Sequence, residues 1–143
     1  MDLDLSTSLK HLDDLHSCLG EYDIVIGSRV LEHSKVSRSL KREMISRGYN
    51  AVLDLAFRKK FRDAQCGFKG VNRKVVDELL PQVKSNGFFF DTELLVLAEM
   101  QGYSIKEIPV EWKESPGSSV RIHKAVPYFL KNVFELHSRL KYL

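Results

Sequence analysis

The chain has 143 residues, 43% of them hydrophobic, with 22 Lys and Arg against 19 Asp and Glu and only four prolines. That size and apolar content fit one globular domain and exclude an intrinsically disordered chain. A net charge of +3 is too mild to mark a nucleic-acid binder of the histone or ribosomal kind, so no nucleic-acid partner is expected.

Met1 to Leu5 reads as the end of a strand. Ser6, Thr7 and Ser8 offer N-cap hydroxyls to a helix in which Leu9, Leu12, Leu15 and Leu19 recur at helical spacing until Gly20. Residues 23–28 are rich in β-branched side chains without alternation, as expected of a strand covered on both faces, which implies a parallel sheet. Leu40, Met44, Ile45, Tyr49, Val52, Leu53 and Ala56 predict a second helix, running into the basic stretch Arg58-Lys59-Lys60-Phe61-Arg62. A strand over Cys66 to Val71 leads through Asn72, as N-cap, into a third helix stopped by Pro81. Asp91 is placed to cap a helix carrying Leu94, Leu95, Leu97 and Ala98 and closed by Gly102. Ile108, Val110 and Trp112 alternate with polar residues and Pro109, predicting an edge strand. Residues 114–120, which contain Ser115-Pro116-Gly117, read as a mobile loop and a candidate lid. Residues 122–143 form an amphipathic helix with Pro127 in its first turn. Two roles fit it: packing on the core, or lying at a membrane interface. Alternating strands and helices predict an α/β layer architecture.

No apolar run approaches the roughly 18 residues of a membrane span, and the acidic start Met1-Asp2-Leu3-Asp4 is unlike a secretory signal, so the expected location is cytoplasmic. Cys18 and Cys66 fit no disulfide framework or metal-ligand spacing and read as reduced thiols.

Asp2 and Asp4 flank Leu3 at the carboxyl end of the first expected strand, where open α/β sheets bind ligands. Two carboxylates there suit Mg²⁺ or Mn²⁺ against a diphosphate, because hard cations take oxygen ligands. Arg29 follows the buried strand, again at a carboxyl end, and its guanidinium suits bidentate contact with a phosphate. Arg38, Arg42, Arg47 and Arg58 to Arg62 make the middle third basic, which points either to a solvated face or to an anionic partner such as lipid headgroups or nucleic acid. Asp63, Gln65 and Lys69 bring acid, amide and ammonium close to Gly67. Asp91 and Glu93 stand at a helix N-terminus, either as reactive groups or as favourable charges against the helix dipole. The five histidines show no metal-ligand spacing.

In order, Asp2 to Thr7, Val25 to Arg29, Ser46-Arg47 with Asn50, Asp63 to Lys69, Phe90 to Leu95, and Glu107 to Val110 with Trp112 resemble the family 2 glycosyltransferases that make polyprenyl-phosphate sugars, the dolichyl-phosphate glucose and mannose synthases. The resemblance implies the C-terminal portion of a Rossmann-like sandwich of GT-A type, with a mixed, mostly parallel sheet flanked by helices. It implies one domain portion over 1–143, with a motif-bearing core over 1–121 and the amphipathic helix after it. It also implies inverting transfer of a hexose, glucose or mannose, from a nucleotide sugar to a polyprenyl or dolichyl phosphate, at the cytoplasmic face of a membrane. By resemblance Asp4 ligates the metal with Asp2 nearby, and Arg29 and Arg47 hold the acceptor phosphate. Gln65 and Lys69 fall to substrate binding, and Arg121 ends an acceptor loop. Asp63, Asp91 and Glu93 are the acidic candidates for catalysis.

Two features depart from the pattern. Ser6 stands where mannose synthases often carry Gln, and Asp63 to Lys69 look closer to the glucose synthases, which use UDP-glucose. Family members place roughly 80 to 90 residues, two or more βαβ units, before the Asp-x-Asp motif. The expectation is therefore a truncated form with weak or no activity alone. The competing expectations are a non-catalytic basic module binding anionic lipid or nucleic acid, and a homo-oligomer that completes its site by pairing.

Overall fold

The computed structural model describes residues 6–37, 40–113 and 122–141. The chain folds as mixed α/β, with helices flanking a small mixed sheet. Its strands are β1 (Ile24–Ser28), β2 (Lys35–Ser37), β3 (Lys69–Val71), β4 (Ile105–Pro109) and β5 (Glu111–Lys113), and its α-helices are α1 (Leu12–Cys18), α2 (Leu40–Phe57), α3 (Phe90–Met100) and α4 (Ile122–Leu140).

Every residue of β1 is buried, as its unbroken apolar run predicts. It lies at the centre of a three-stranded sheet in the order β3-β1-β4, antiparallel to β3 and parallel to β4. Alternate side chains feed two cores. Ile24 and Ile26 enter a large cluster with Leu53 of α2, Leu94 to Ala98 of α3, and Val133 and Leu136 of α4. Val25 points the other way, into a smaller cluster with Leu15, Cys66, Phe68, Ile108 and Val110. Gly27 is obligatory for this packing, because a Cβ there would stand 2.8 Å from Val110 Cγ1 and 3.1 Å from Cys66 Sγ.

β4 is an edge strand, as Pro109 requires, since proline has no N–H for a further neighbour. The chain then turns at Val110 and enters a second sheet, where β5 pairs in parallel with β2 and Trp112 bridges to Thr7. Because β1 and β4 are parallel, with Ser28 opposite Pro109, Arg29 and Trp112 both emerge beyond the same carboxyl-end edge.

Four local expectations are corrected. The first helix opens as a 3-10 turn over Leu9–His11, and Ser8 makes no side-chain cap. β3 is shorter than Cys66 to Val71, although the Gly27 amide still donates to the Phe68 carbonyl at 2.7 Å. Asn72 does cap, its Oδ1 accepting from the Val75 amide, but the helix does not stop at Pro81: a wide turn over Val75–Leu79 tightens into a 3-10 turn over Leu80–Gln82. The proline fits because the first turn of that 3-10 segment asks nothing of its missing N–H. Helix α3 starts at Phe90, one residue before Asp91, so Asp91 sits inside the first turn rather than capping it. Gly102 does close α3, in the left-handed conformation at φ +79°.

Candidate functional site

A cleft of about 480 Å³ opens between α2 and α4. Ile45 and Val52 of α2 face Phe129, Leu130 and Val133 of α4, so its walls are apolar. Tyr49, also on the lining, meets Phe129 in a tilted contact with ring centroids 4.7 Å apart. Arg29, Gln65 and Trp112 supply the polar end. Among the described residues Arg29 is the one charged group on this mainly apolar slot, a form suited to amphiphilic ligands.

Arg29 is held tightly. Asp63, 1% exposed, accepts from Arg29 Nε at 2.7 Å, Nη2 at 2.8 Å and the Arg29 backbone amide at 3.0 Å. Its Oδ1 also accepts from the Gln65 amide at 3.2 Å. Burial pushes the Asp63 carboxyl up, but the hydrogen bonds and charge of Arg29 outweigh that and leave it below the usual carboxylate range. The guanidinium lies over Trp112, its Cζ 5.4 Å from the ring centroid. A bidentate pair on one edge and an indole face beneath fix the orientation of an otherwise flexible side chain.

Tyr49 contacts α3 through a 2.7 Å hydrogen bond between its hydroxyl and the Thr92 hydroxyl. Burial pushes the phenol well above its ordinary value, partly opposed by the bond to Thr92 and reinforced by the charge of Asp91, so it stays neutral. Next door, Lys69 Nζ stands 3.2 Å from Asp91 Oδ1 and also donates to the Cys66 carbonyl. Lys69 and Asp91 are thus brought together, but neither is on the lining of the cleft.

Glu93 is the clearest departure from the expected site. It points away from the cleft, into the junction of α3, α4 and the 83–86 connection, with 1% of its side chain exposed. Its two oxygens accept from the Lys84 amide at 3.0 Å and the Ser85 amide at 2.8 Å, and Arg139 of α4 donates to Oε1. Burial raises its carboxyl, and Arg139 with those amides more than reverses the effect. Glu93 thereby ties α4 to the body of the molecule and does not line the α2–α4 cleft.

Arg47 stands 77% exposed on α2, its Nε 2.6 Å from Glu43, and does not line the cleft. The basic run beyond α2 is partly internal: Lys59, 2% exposed, pairs with Asp54 at 3.0 Å and donates to the Phe61 carbonyl at 2.7 Å. Burial of Cys66 raises its thiol, as befits a core residue. Asp2, Asp4, Arg121 and the expected loop 114–120 lie outside the described residues. Among the described residues no three His, Cys, Asp or Glu side chains gather as a metal site, and no helix is long and apolar enough to cross a membrane.

Sequence reasoning did not single out Tyr49 or Phe129 as cleft residues, Arg139 as the partner of Glu93, or Glu107 as a ligand of backbone amides. The apolar periodicities of α2 and α4 carried the signal for the first two. A carboxylate that accepts backbone amides leaves no pattern in the sequence.

Comparison with known proteins agrees with the motif resemblance. The chain is 39% identical over 121 residues to a glycosyltransferase, AglD, of Haloferax volcanii, a match covering 83% of this chain and 19% of that protein. It is 32% identical over 102 residues to the dolichyl-phosphate beta-glucosyltransferase of Saccharomyces cerevisiae, covering 69% and 30%. The human dolichyl-phosphate beta-glucosyltransferase matches at 33% over 122 residues, covering 84% and 36%. No family model matches. The chain spans about a fifth to two fifths of the length of the curated relatives it matches.

Proposed function

We propose, from the premise that this chain is related over most of its length to the dolichyl-phosphate glucosyltransferases, that it carries the acceptor-lipid end of an enzyme moving a hexose from a nucleotide sugar to a polyprenyl phosphate. The observation that carries this reading is the pairing of an apolar cleft with one oriented guanidinium at its end. A lipid phosphate needs both. Arg29 takes the phosphate, and the first part of the prenyl chain lies between Ile45, Val52, Phe129 and Leu130. A volume of about 480 Å³ falls in the ordinary range for small-molecule sites, so it holds a headgroup and only the beginning of a long chain.

The rest of the lipid belongs to a bilayer. On α4, Val126, Leu130 and Phe134 follow at four-residue intervals and stand 43%, 50% and 72% exposed, beside the cleft. With Leu40 and Met44 of α2, also exposed, they form a face suited to rest on a membrane surface, where Lys131 meets anionic headgroups.

In the transfer, an acceptor phosphate oxygen bonds to the anomeric carbon as the bond from that carbon to the nucleoside diphosphate breaks, inverting the centre. A phosphate monoester is largely ionised near neutral pH, with a second pKa of about 6, so no strong general base is required. Arg29, immobilised by Asp63 and Trp112, then contributes by holding the nucleophile in line, and preorganisation avoids reorientation during reaction. Asp2 and Asp4 are suited as carboxylates to Mg²⁺ or Mn²⁺, which when bound offsets charge on the departing diphosphate. Glucose is the favoured sugar, from the resemblance of residues 63–69 and the names of the eukaryotic relatives.

The test is flotation of the chain with phosphatidylcholine vesicles, with and without dolichyl phosphate. The reading expects dolichyl phosphate to increase the bound fraction, Arg29→Ala to remove that increase, and dolichol without phosphate to have no such effect. Equal flotation with dolichol and dolichyl phosphate would overturn it.

A further inference from the structure

Arg29 is oriented by Asp63, but Asp63 lies in a connection, residues 58–68, that has no regular structure of its own. Something must fix it. Glu107, on edge strand β4, turns its carboxylate onto that connection: Oε2 accepts the Arg62 amide and Oε1 the Asp63 amide, each at 3.1 Å. Two adjacent backbone amides on one carboxylate fix the plane of the peptide entering Asp63. Asp63 in turn accepts the Arg29 amide, Nε and Nη2. Glu107 is opposite Ile26 in the β1–β4 register, so this chain of contacts is referenced to the most buried strand of the molecule.

We infer that Glu107 is a positioning residue for the phosphate site: through Asp63 it sets the angle at which Arg29 meets an acceptor phosphate. The inference rests on the reading of Arg29 as the phosphate anchor. A second carboxylate supplies an internal control. Glu99 of α3 accepts the Lys60 amide with both oxygens, at 2.8 and 3.1 Å, tying down the same connection without touching Asp63.

Glu107→Gln keeps the shape of the side chain but leaves one acceptor oxygen for two amides. Two readouts test it. The first uses no ligand: hydrogen exchange of the Arg29 Nε–H, followed by NMR on the 143-residue chain, is expected to accelerate in Glu107→Gln and to stay unchanged in Glu99→Gln. The second is affinity for dolichyl phosphate in phosphatidylcholine vesicles, read from the emission of Trp112, the sole tryptophan. It is expected to weaken about three- to tenfold in Glu107→Gln. Combined with Asp63→Asn the loss should be less than additive, because the two residues act in series. Should Glu107→Gln fail to fold, Glu107→Asp, which withdraws the carboxylate by one methylene, has the same expected direction. Unchanged Nε–H exchange, or an equal response in Glu99→Gln, overturns the positioning role. Faster exchange with unchanged affinity keeps the relay and overturns the phosphate role of Arg29 on which it rests.

Discussion

Two carboxylates, Asp63 and Glu93, are each 1% exposed, each paired with an arginine and each held below the ordinary carboxylate range, yet they border different hollows. Asp63 lies at the end of the α2–α4 cleft and orients a guanidinium that lines it. Glu93 is locked among two backbone amides and the last turn of α4, in a separate hollow. The difference lies in the arginine's other side: Arg29 borders an open slot with an aromatic beneath it, whereas Arg139 closes a helix onto the body. Burial and a shifted pKa therefore do not by themselves mark chemistry. Geometry around the pair decides.

The largest effect should come from breaking the structural pair. Arg139→Ala leaves Glu93 buried without its cation and is expected to destabilise the fold by about 3 kcal/mol, the low end for a broken buried pair because the Lys84 and Ser85 amides remain. Thermal melting checks it, and dolichyl phosphate affinity corrected for the folded fraction should hold. At the other pair the ranking reverses. Arg29→Lys keeps the charge and loses the fork, and is expected to weaken lipid-phosphate binding by about 1.5 kcal/mol or more, over tenfold, for a modest loss in melting temperature. If both substitutions moved stability and binding together, the contrast between the two pairs would fail.

Acid should act on both. Each carboxylate has its native pKa lowered, so its stabilisation is full above the unfolded values near about 4 and is lost as pH falls below them through the native values. Urea midpoints measured between pH 6 and 3 should drop below about pH 4. Asp63→Asn and Glu93→Gln, though less stable at neutral pH, should each show a shallower fall. The smallest change is expected at Arg47, whose exposed pair with Glu43 is worth about 0.5 kcal/mol or less, so Arg47→Ala should leave the melting curve in place. Loss of lipid-phosphate binding in that variant would enlarge the site to include α2's outer face.

The readable part of the fold was the part with a strong period. β1 was legible because an unbroken β-branched run has one outcome, burial on both faces, and α2 and α4 because their apolar positions recur at helical spacing. The site was half legible. Arg29, Asp63 and Gln65 were expected in it and do converge, while Lys69 and Asp91 pair off the cleft lining and Glu93 turns to Arg139. Asp91 and Glu93 are two apart on a helix and so cannot share a face, about 200° of rotation separating them. Neither lines the cleft: Asp91 turns to Lys69, and Glu93 is taken by Arg139 of α4, some 46 residues away.

Sequence alone was enough for an α/β chain built on a buried strand, the order of its helices and the family it resembles, because periodicity and motif order are local and survive without coordinates; the expected parallel sheet is mixed, since β1 runs antiparallel to β3. It took the packed molecule to show that two amphipathic helices leave a slot between them, that Asp63 is occupied in holding Arg29, and that Glu107 reaches across from the sheet edge to hold Asp63. The Arg29–Asp63 and Asp63–Glu107 contacts join residues 34 and 44 positions apart, and Tyr49 meets Phe129 across the slot from farther still; how the layers pack sets them, and no spacing along the chain encodes them.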